Sequence, residues 1–332
     1  MIDTIYMETA VADHPRSRNI LQRYPHAHVI ECSNYTEVFN RKAQNFRLQK
    51  KKPALILAQK HHGHVLPTPA RYGIGARQNY YFSHMLNCLY DCRYCFLQGM
   101  FQSAHYVLFV NYEDFIEELA RLAQQHANET VHFFSGYDCD SLALDPLTGF
   151  IEQFMPFFEQ HSNCLLELRT KSTQIRSLLE RHPITNCVIA FSFTPEAISK
   201  ALEHKVPSIE KRLQAMLALQ QAGWLVGLRF DPLIYTNEYQ RAYTQLFHEL
   251  FSRLDCSRIH SVSLGSFRLP RDYFRKLQKL YPDERLLASP LADEDKQIGY
   301  PAAIRNNMLD FAAEQIQQYI EPDRFFPCHE MI

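Results

Sequence analysis

"CLLELRTKSTQIRSLLERHPITNCVIAFSF" (Cys164–Phe193) reads as a strand, a helix and a second strand. Both flanking runs, CLLELRTKS and NCVIAFSF, are nearly continuous in apolar residues. Such runs suit strands buried on both faces, the usual condition of a parallel sheet. TQIRSLLERH between them has helical spacing, and a crossover of this kind is right-handed.

The alternation extends both ways from about Asn79. NYYFSHML leads into a cysteine-rich loop. YEDFIEELARLAQQHA is a helix with Phe115, Leu119 and Leu122 on one face. TVHFFSG is a strand and PLTGFIEQFMPFFEQH a helix. Downstream, SIEKRLQAMLALQQAG, YQRAYTQLFHELFSRL and PRDYFRKLQKLYP read as helices, with strands WLVGLRFDPLI and IHSVSLGSF between them. About six β/α units indicate an α/β barrel, complete or open on one side. A doubly wound open sheet is the alternative. In either, the chemistry sits at the carboxyl ends of the strands.

Ahead of this repeat, residues 1–77 read as a small β/α domain. TIYME and HAHVIEC are strands, HPRSRNILQRYP is a helix, and FRLQKKKPALILAQK adds a basic run and an apolar strand. The lysines of that run are expected on a solvated edge. Residues 78–285 form the partial barrel. Residues 286–332 form a hairpin-like segment and a closing helix around DFAAEQIQQYIE.

At 332 residues and 46 % apolar content the chain can bury a large core, and a net charge of −1 argues against a dominant basic surface. Nine cysteines are present, and only Cys88, Cys92 and Cys95 cluster. No basic, apolar leader opens the chain and no run approaches a membrane span, so a reducing cytoplasm is expected. Cys164 and Cys187 fall in apolar runs and are expected in the core. His61, His62 and His64 are expected on a solvated turn.

NCLYDCRYCFLQ (Asn87–Gln98) spaces its cysteines C-x3-C-x2-C after the first barrel strand. A structural zinc needs four closed ligands, and no second cysteine pair exists; His84 lies in the strand ahead. Three thiolates on a 4Fe–4S cluster leave one iron open, which S-adenosylmethionine can fill. Electron transfer then yields a 5′-deoxyadenosyl radical, and an external donor such as flavodoxin or ferredoxin must supply the electron. A structural metal or inert thiols are the other readings. Later strand ends fit that ligand: Gly136 for close backbone approach, Asp138 and Asp140 as acceptors for an ammonium, Arg169 and Lys171 for a carboxylate, and Ser192 as a buried hydroxyl.

These residues resemble the spore photoproduct lyase family of radical S-adenosylmethionine enzymes. CLYDCRYCFLQ, DSLALDPLT, LRTKS, FSF, AGWLVGLRFDPLIY and FRLP recur in family order, and YMETAVADHPRSRNIL is similar to its leading domain. The resemblance implies an incomplete (β/α)6 TIM-like barrel, a 4Fe–4S cluster on Cys88, Cys92 and Cys95, and cofactor contacts at Lys171 and Ser192. It implies repair of a thymine-dimer lesion in DNA, in which a thiol returns hydrogen to the product radical.

The sequence departs from the family pattern in three places. Tyr137 stands where the family has its hydrogen-donating cysteine, with Cys139 two residues on. If the strand continues that far, alternation puts both on one face, and either is a candidate donor. Phe96 replaces a family tyrosine, whereas Tyr94 is kept as a catalytic candidate. The family's basic-aromatic hairpin is shortened, leaving Lys296, Tyr300 and Arg305 as DNA contacts. The alternatives are a radical reaction on another nucleic-acid or small-molecule substrate, and a non-enzymatic cluster-binding module.

Overall fold

The computed structural model describes residues 2–69 and 72–327, so Cys328 and the last residues of the tail lie outside the described residues. Six strands run parallel in chain order across one curled sheet: Gln78–Phe82, Val131–Ser135, Cys164–Thr170, Cys187–Ser192, Leu225–Leu233 and Ile259–Ser266. Phe325–Pro327 adds a parallel strand at one edge and Val65–Pro67 an antiparallel strand at the other. Strand order therefore advances in one direction without reversal. A doubly wound sheet would place its first strand in the middle, so the fold is a singly wound α/β barrel. Among the described residues its two edges do not pair with each other, and the barrel is incomplete.

The strands read as continuous apolar runs because helices cover their outer face while side chains fill the inner one. All six residues of Cys187–Ser192 are buried, as are Cys164 and Cys187. Helix Tyr112–Gln125 carries Glu113 and Asp114 in its first turn, where the helix dipole favours them, and buries Phe115, Leu119 and Leu122.

Two expected helices differ from their sequence patterns. TQIRSLLERH folds only as the turn Arg176–Leu179. Ser172 N bonds Thr170 Oγ1 and Gln174 N bonds Ser172 Oγ, and these local bonds compete with helix formation. PLTGFIEQFMPFFEQH breaks at Gly149, which has φ +61°, into Asp145–Thr148 and Phe150–Gln160. Asp145 Oδ1 then accepts from Ile151 N in the first turn of the second piece.

A second sheet has the order His28–Cys32, Thr4–Glu8, Leu55–Ala58, Tyr106–Phe109 and Met85–Leu86, with only the last strand antiparallel. The chain thus leaves the barrel after Phe82, joins the N-terminal sheet at Met85, and returns to it at Tyr106. Residues 87–105, including all three clustered cysteines, are strung between two strands of that sheet. The basic run is the helix Phe46–Lys51, capped by Asn45.

In the tail, Ala292–Glu294 and Gln297–Gly299 form a hairpin that pairs with Arg268–Pro270. Asp295 and Lys296 both have positive φ, as its tight turn demands. The closing helix starts earlier than its sequence pattern, at Ala302, and ends at Ile316.

Candidate functional site

The cysteine loop is held on every side. Asn87, with φ +69°, donates through Nδ2 to the Ser103 and His105 carbonyls, both at 2.7 Å. Asp91–Cys92 pairs antiparallel with Glu203–His204, and Arg93 N bonds Leu202 O at 2.8 Å. The Arg93 guanidinium lies 3.7 Å from the Tyr281 ring centroid, and Tyr281 Oη donates to Gln98 Oε1.

The three thiols lie within electrostatic range of one another. Burial pushes Cys88 up to about 12, with the Asp140 charge adding to it, and raises Cys92 and Cys95 as well. Buried thiols of this kind ionise when a metal takes the charge. Tyr90 N donates to Cys88 Sγ at 3.4 Å, and the Leu97 backbone donates to Cys95. Such donors at sulfur suit an iron–sulfur centre. Among the described residues, no three His, Cys, Asp or Glu side chains converge on a single-ion position. A cluster binds each thiolate at a separate iron, so its ligands need no such convergence.

Lys171 and Ser192 lie at the ends of their strands. Lys171 Nζ is 3.5 Å from Glu203 Oε1 and 5.7 Å from the Tyr94 ring centroid. The Ser192 carbonyl accepts from Arg212 at 2.7 Å, and the residue is buried.

Gly136 has φ +79°, but the space a Cβ would need is taken by Ser141 Oγ at 2.5 Å. Its left-handed φ and the contact with Ser141 explain why a side chain would not fit there. Asp140 is likewise occupied. Its carboxylate accepts from Leu142 N, Ala143 N, Thr170 Oγ1 and Lys171 N, tying that loop to the next strand end. Asp138 is buried beside Ser83.

Arg169 is not a top-face partner of Lys171. It bonds Glu167 and Tyr72 and joins a buried cluster in which Arg229 forks onto Glu167 at 2.7 and 3.1 Å. Residues 167 and 169 share one face by strand alternation, which brings Arg169 to Glu167 at 3.1 Å, whereas Lys171 lies just past the last strand residue, Thr170.

The strand does not continue to residue 139, because the chain turns left-handed at Gly136 directly after Ser135. Alternation therefore does not apply, and the two donor candidates diverge. Cys139 is 7 % exposed, and burial holds its thiol well above its ordinary range; it takes a hydrogen bond from the Met85 backbone and neighbours Cys88. Tyr137 is half-buried among Tyr81, at 4.4 Å between ring centroids, and Phe96, at 5.4 Å. Tyr94 is buried, and its hydroxyl donates to Glu203.

Of the three expected DNA contacts only Lys296 is exposed. Tyr300 is buried, its hydroxyl accepting from Tyr235 N, and Arg305 pairs with Glu294 at 3.1 Å. Arg271 of the same region pairs with Asp293. His61, His62 and His64 do not gather; His64 instead bonds the Lys60 carbonyl.

Sequence reasoning missed Glu203, Arg212 and Lys50. Arg212 and Glu203 are buried and 2.8 Å apart. Glu167 and Arg229 had a visible signal, a charge inside an otherwise apolar strand. Glu203 and Arg212 had none, since charges on helices read as solvated. Lys50 is the opposite of the solvated residue expected: it is buried, with Nζ on the Tyr90 and Cys88 carbonyls.

The spore photoproduct lyase family model matches residues 1–300. Spore photoproduct lyase of Bacillus subtilis (strain 168) is 22 % identical over 337 residues, covering 97 % of this chain and 95 % of its own. That of Geobacillus sp. (strain Y412MC61) is 24 % identical over 202 residues, covering 60 % and 59 %. A solved spore photoproduct lyase double mutant with bound AdoMet and dinucleoside spore photoproduct superposes with a TM-score of 0.87 at 18 % identity, over 100 % of this chain and 99 % of that one. With the barrel, the three-cysteine loop and a match over most of its length, this chain belongs to the spore photoproduct lyase family.

Proposed function

We propose that this chain is a 4Fe–4S, S-adenosylmethionine-dependent lyase that repairs a spore photoproduct-type thymine-dimer lesion in DNA. The three-cysteine loop, with backbone donors at Cys88 and Cys95, is the observation that carries this reading. Cys88, Cys92 and Cys95 would hold the cluster. When bound, the cluster and S-adenosylmethionine supply a 5′-deoxyadenosyl radical that removes hydrogen from the lesion. Lys171 would pair with the cofactor's carboxylate and Ser192 would donate its hydroxyl, while Gly136 and Asp140 shape the adjoining loop.

Tyr137 is the hydrogen donor in this reading. Its phenol is half-buried in an aromatic group, whereas Cys139 is enclosed. Transfer from Tyr137 Oη to a carbon radical breaks one O–H bond and forms one C–H bond. The tyrosyl radical left behind is reduced, with a proton, by the external electron donor. Tyr94 holds Glu203 through its hydroxyl. We assign residues 1–77 to a small domain that braces the cysteine loop and lends Val65–Pro67 to the barrel, 78–285 to the barrel apart from the excursion through Met85–Leu86 and Tyr106–Phe109 into the N-terminal sheet, and the residues from 286 onward to a hairpin, a closing helix and the edge strand Phe325–Pro327, in a cytoplasmic protein. Among the described residues no helix is long and apolar enough to cross a membrane.

A second reading keeps the radical chemistry with a different substrate. It is favoured by the ion pairs that neutralise Arg271 and Arg305 beside the hairpin. Anaerobic reconstitution with iron and sulfide, then strong reductant, S-adenosylmethionine and the dinucleotide lesion, separates the readings. Release of 5′-deoxyadenosine with two thymines supports repair. Release of 5′-deoxyadenosine alone supports the second substrate, and no cleavage overturns both.

A further inference from the structure

Helix Phe46–Lys51 of the N-terminal sheet reaches the cysteine loop with two consecutive side chains. Gln49 Oε1 accepts from Ala104 N at 2.8 Å and Ser103 Oγ at 3.3 Å, on the segment to which Asn87 is also bonded. Lys50 is 9 % exposed, and its Nζ donates to Tyr90 O at 3.2 Å and Cys88 O at 3.4 Å. Tyr90 is also the residue whose N–H reaches Cys88 Sγ. The Lys50 carbonyl accepts from Lys205 Nζ at 3.0 Å, and Lys205 follows the short strand that pairs with Asp91–Cys92. The charges that face Lys50 are Asp91, Cys88, Cys95 and Lys205.

Burying an ammonium costs several kcal/mol unless charge compensates it. Its direct partners are neutral carbonyls. Asp91 is the strongest of the opposite charges facing it but is shared with Arg93 at 3.4 Å, and the cysteine thiolates would add theirs once a cluster is bound. We infer that Lys50 is a positioning residue for the cluster: it braces the backbone from Cys88 to Tyr90 and lends a fixed positive charge to the cysteine site. The inference rests on the proposed cluster and gives the N-terminal unit a part in its chemistry. A cluster's potential follows its net charge and surroundings, and a nearby cation in a low-dielectric site favours the form with the extra electron.

The test is the midpoint potential of the reconstituted cluster in the wild-type chain and in Lys50→Met, Lys50→Gln and Lys50→Arg, with iron content and thermal unfolding alongside. Neutral variants should be at least tenfold less favourable to reduce, a fall of about 59 mV for one electron, while Lys50→Arg stays near wild type. Loss of the cluster in the neutral variants but not in Lys50→Arg also supports the role. Lys50→Gln keeps donors for the two carbonyls and reports if Lys50→Met fails to fold. Full iron content with an unshifted potential in a neutral variant overturns the inference, as does loss of the cluster in all three. A wild-type chain that takes up no cluster instead overturns the proposed function.

Discussion

Glu203→Gln removes one charge from the network behind the cysteine loop. Glu203 is 5 % exposed and meets Arg212 at 2.8 Å, Ser199 at 2.7 Å, Lys171 at 3.5 Å and the Tyr94 hydroxyl. Burial pushes its carboxyl up, but the Lys171 and Arg212 charges and the Tyr94 and Ser199 hydrogen bonds outweigh it and hold the group at about 2. Against an ordinary 4.5, that difference is worth about 3 kcal/mol of stability at neutral pH. Folding favours the ionised form, so this contribution is complete above about pH 4.5 and is lost as pH falls toward 2. Breaking one side of a buried ion pair costs about 3–5 kcal/mol, a large part of the roughly 5–15 kcal/mol that holds a typical domain. Urea unfolding at pH 7 should show a loss near 3 kcal/mol, and a pH series should show a shallower acid dependence. Glu167, held at about 2 chiefly by Arg229 and Arg169 against its burial, keeps its own share of that dependence. A double-mutant cycle with Arg212→Met should return a coupling of about 0.5–3 kcal/mol. A loss under about 1 kcal/mol with an unchanged acid slope would refute the network as described.

Tyr137→Phe should leave S-adenosylmethionine cleavage within about twofold, a difference of under ~0.5 kcal/mol in barrier, and divert repair products to quenched adducts. Cys139→Ala should leave the product distribution unchanged; the reverse pattern, by product chromatography, would return the donor role to Cys139. Gly136→Ala should cost about 1–3 kcal/mol in thermal unfolding, because its Cβ meets Ser141 Oγ and the left-handed φ persists. If duplex DNA is bound through the hairpin tip, Lys296→Ala should flatten the slope of log affinity against log salt by about 0.9. An unchanged slope would remove the tip from the interface.

The parallel sheet was legible because strands buried on both faces must be apolar along their whole length, as in Cys187–Ser192. The cysteine spacing was legible because three cysteines on one loop are adjacent in the chain. The open question between barrel and doubly wound sheet was not legible, since both use the same local units and differ only in strand order. The expectation that Tyr137 and Cys139 share one face failed at Gly136. Its left-handed turn ends the alternation that would have put Tyr137 and Cys139 on one face. Phe96 was visible as a departure, but its packing against Tyr137 was not.

What the sequence alone determined is local and periodic: the β/α repeat, the amphipathic faces and the C-x3-C-x2-C loop. Hydrophobic period and ligand spacing are set by neighbours along the chain, so one sequence suffices to read them. Tertiary structure decided which charges are buried and what they meet. Lys50 and Glu203 look like ordinary surface charges in sequence, yet one grips the Cys88–Tyr90 backbone and the other joins Lys171, Arg212 and Tyr94. The physical reason is that a charge tolerates burial only where distant segments supply its partners, and those partners lie 38 and 40 residues away for Lys50 and up to 109 for Glu203.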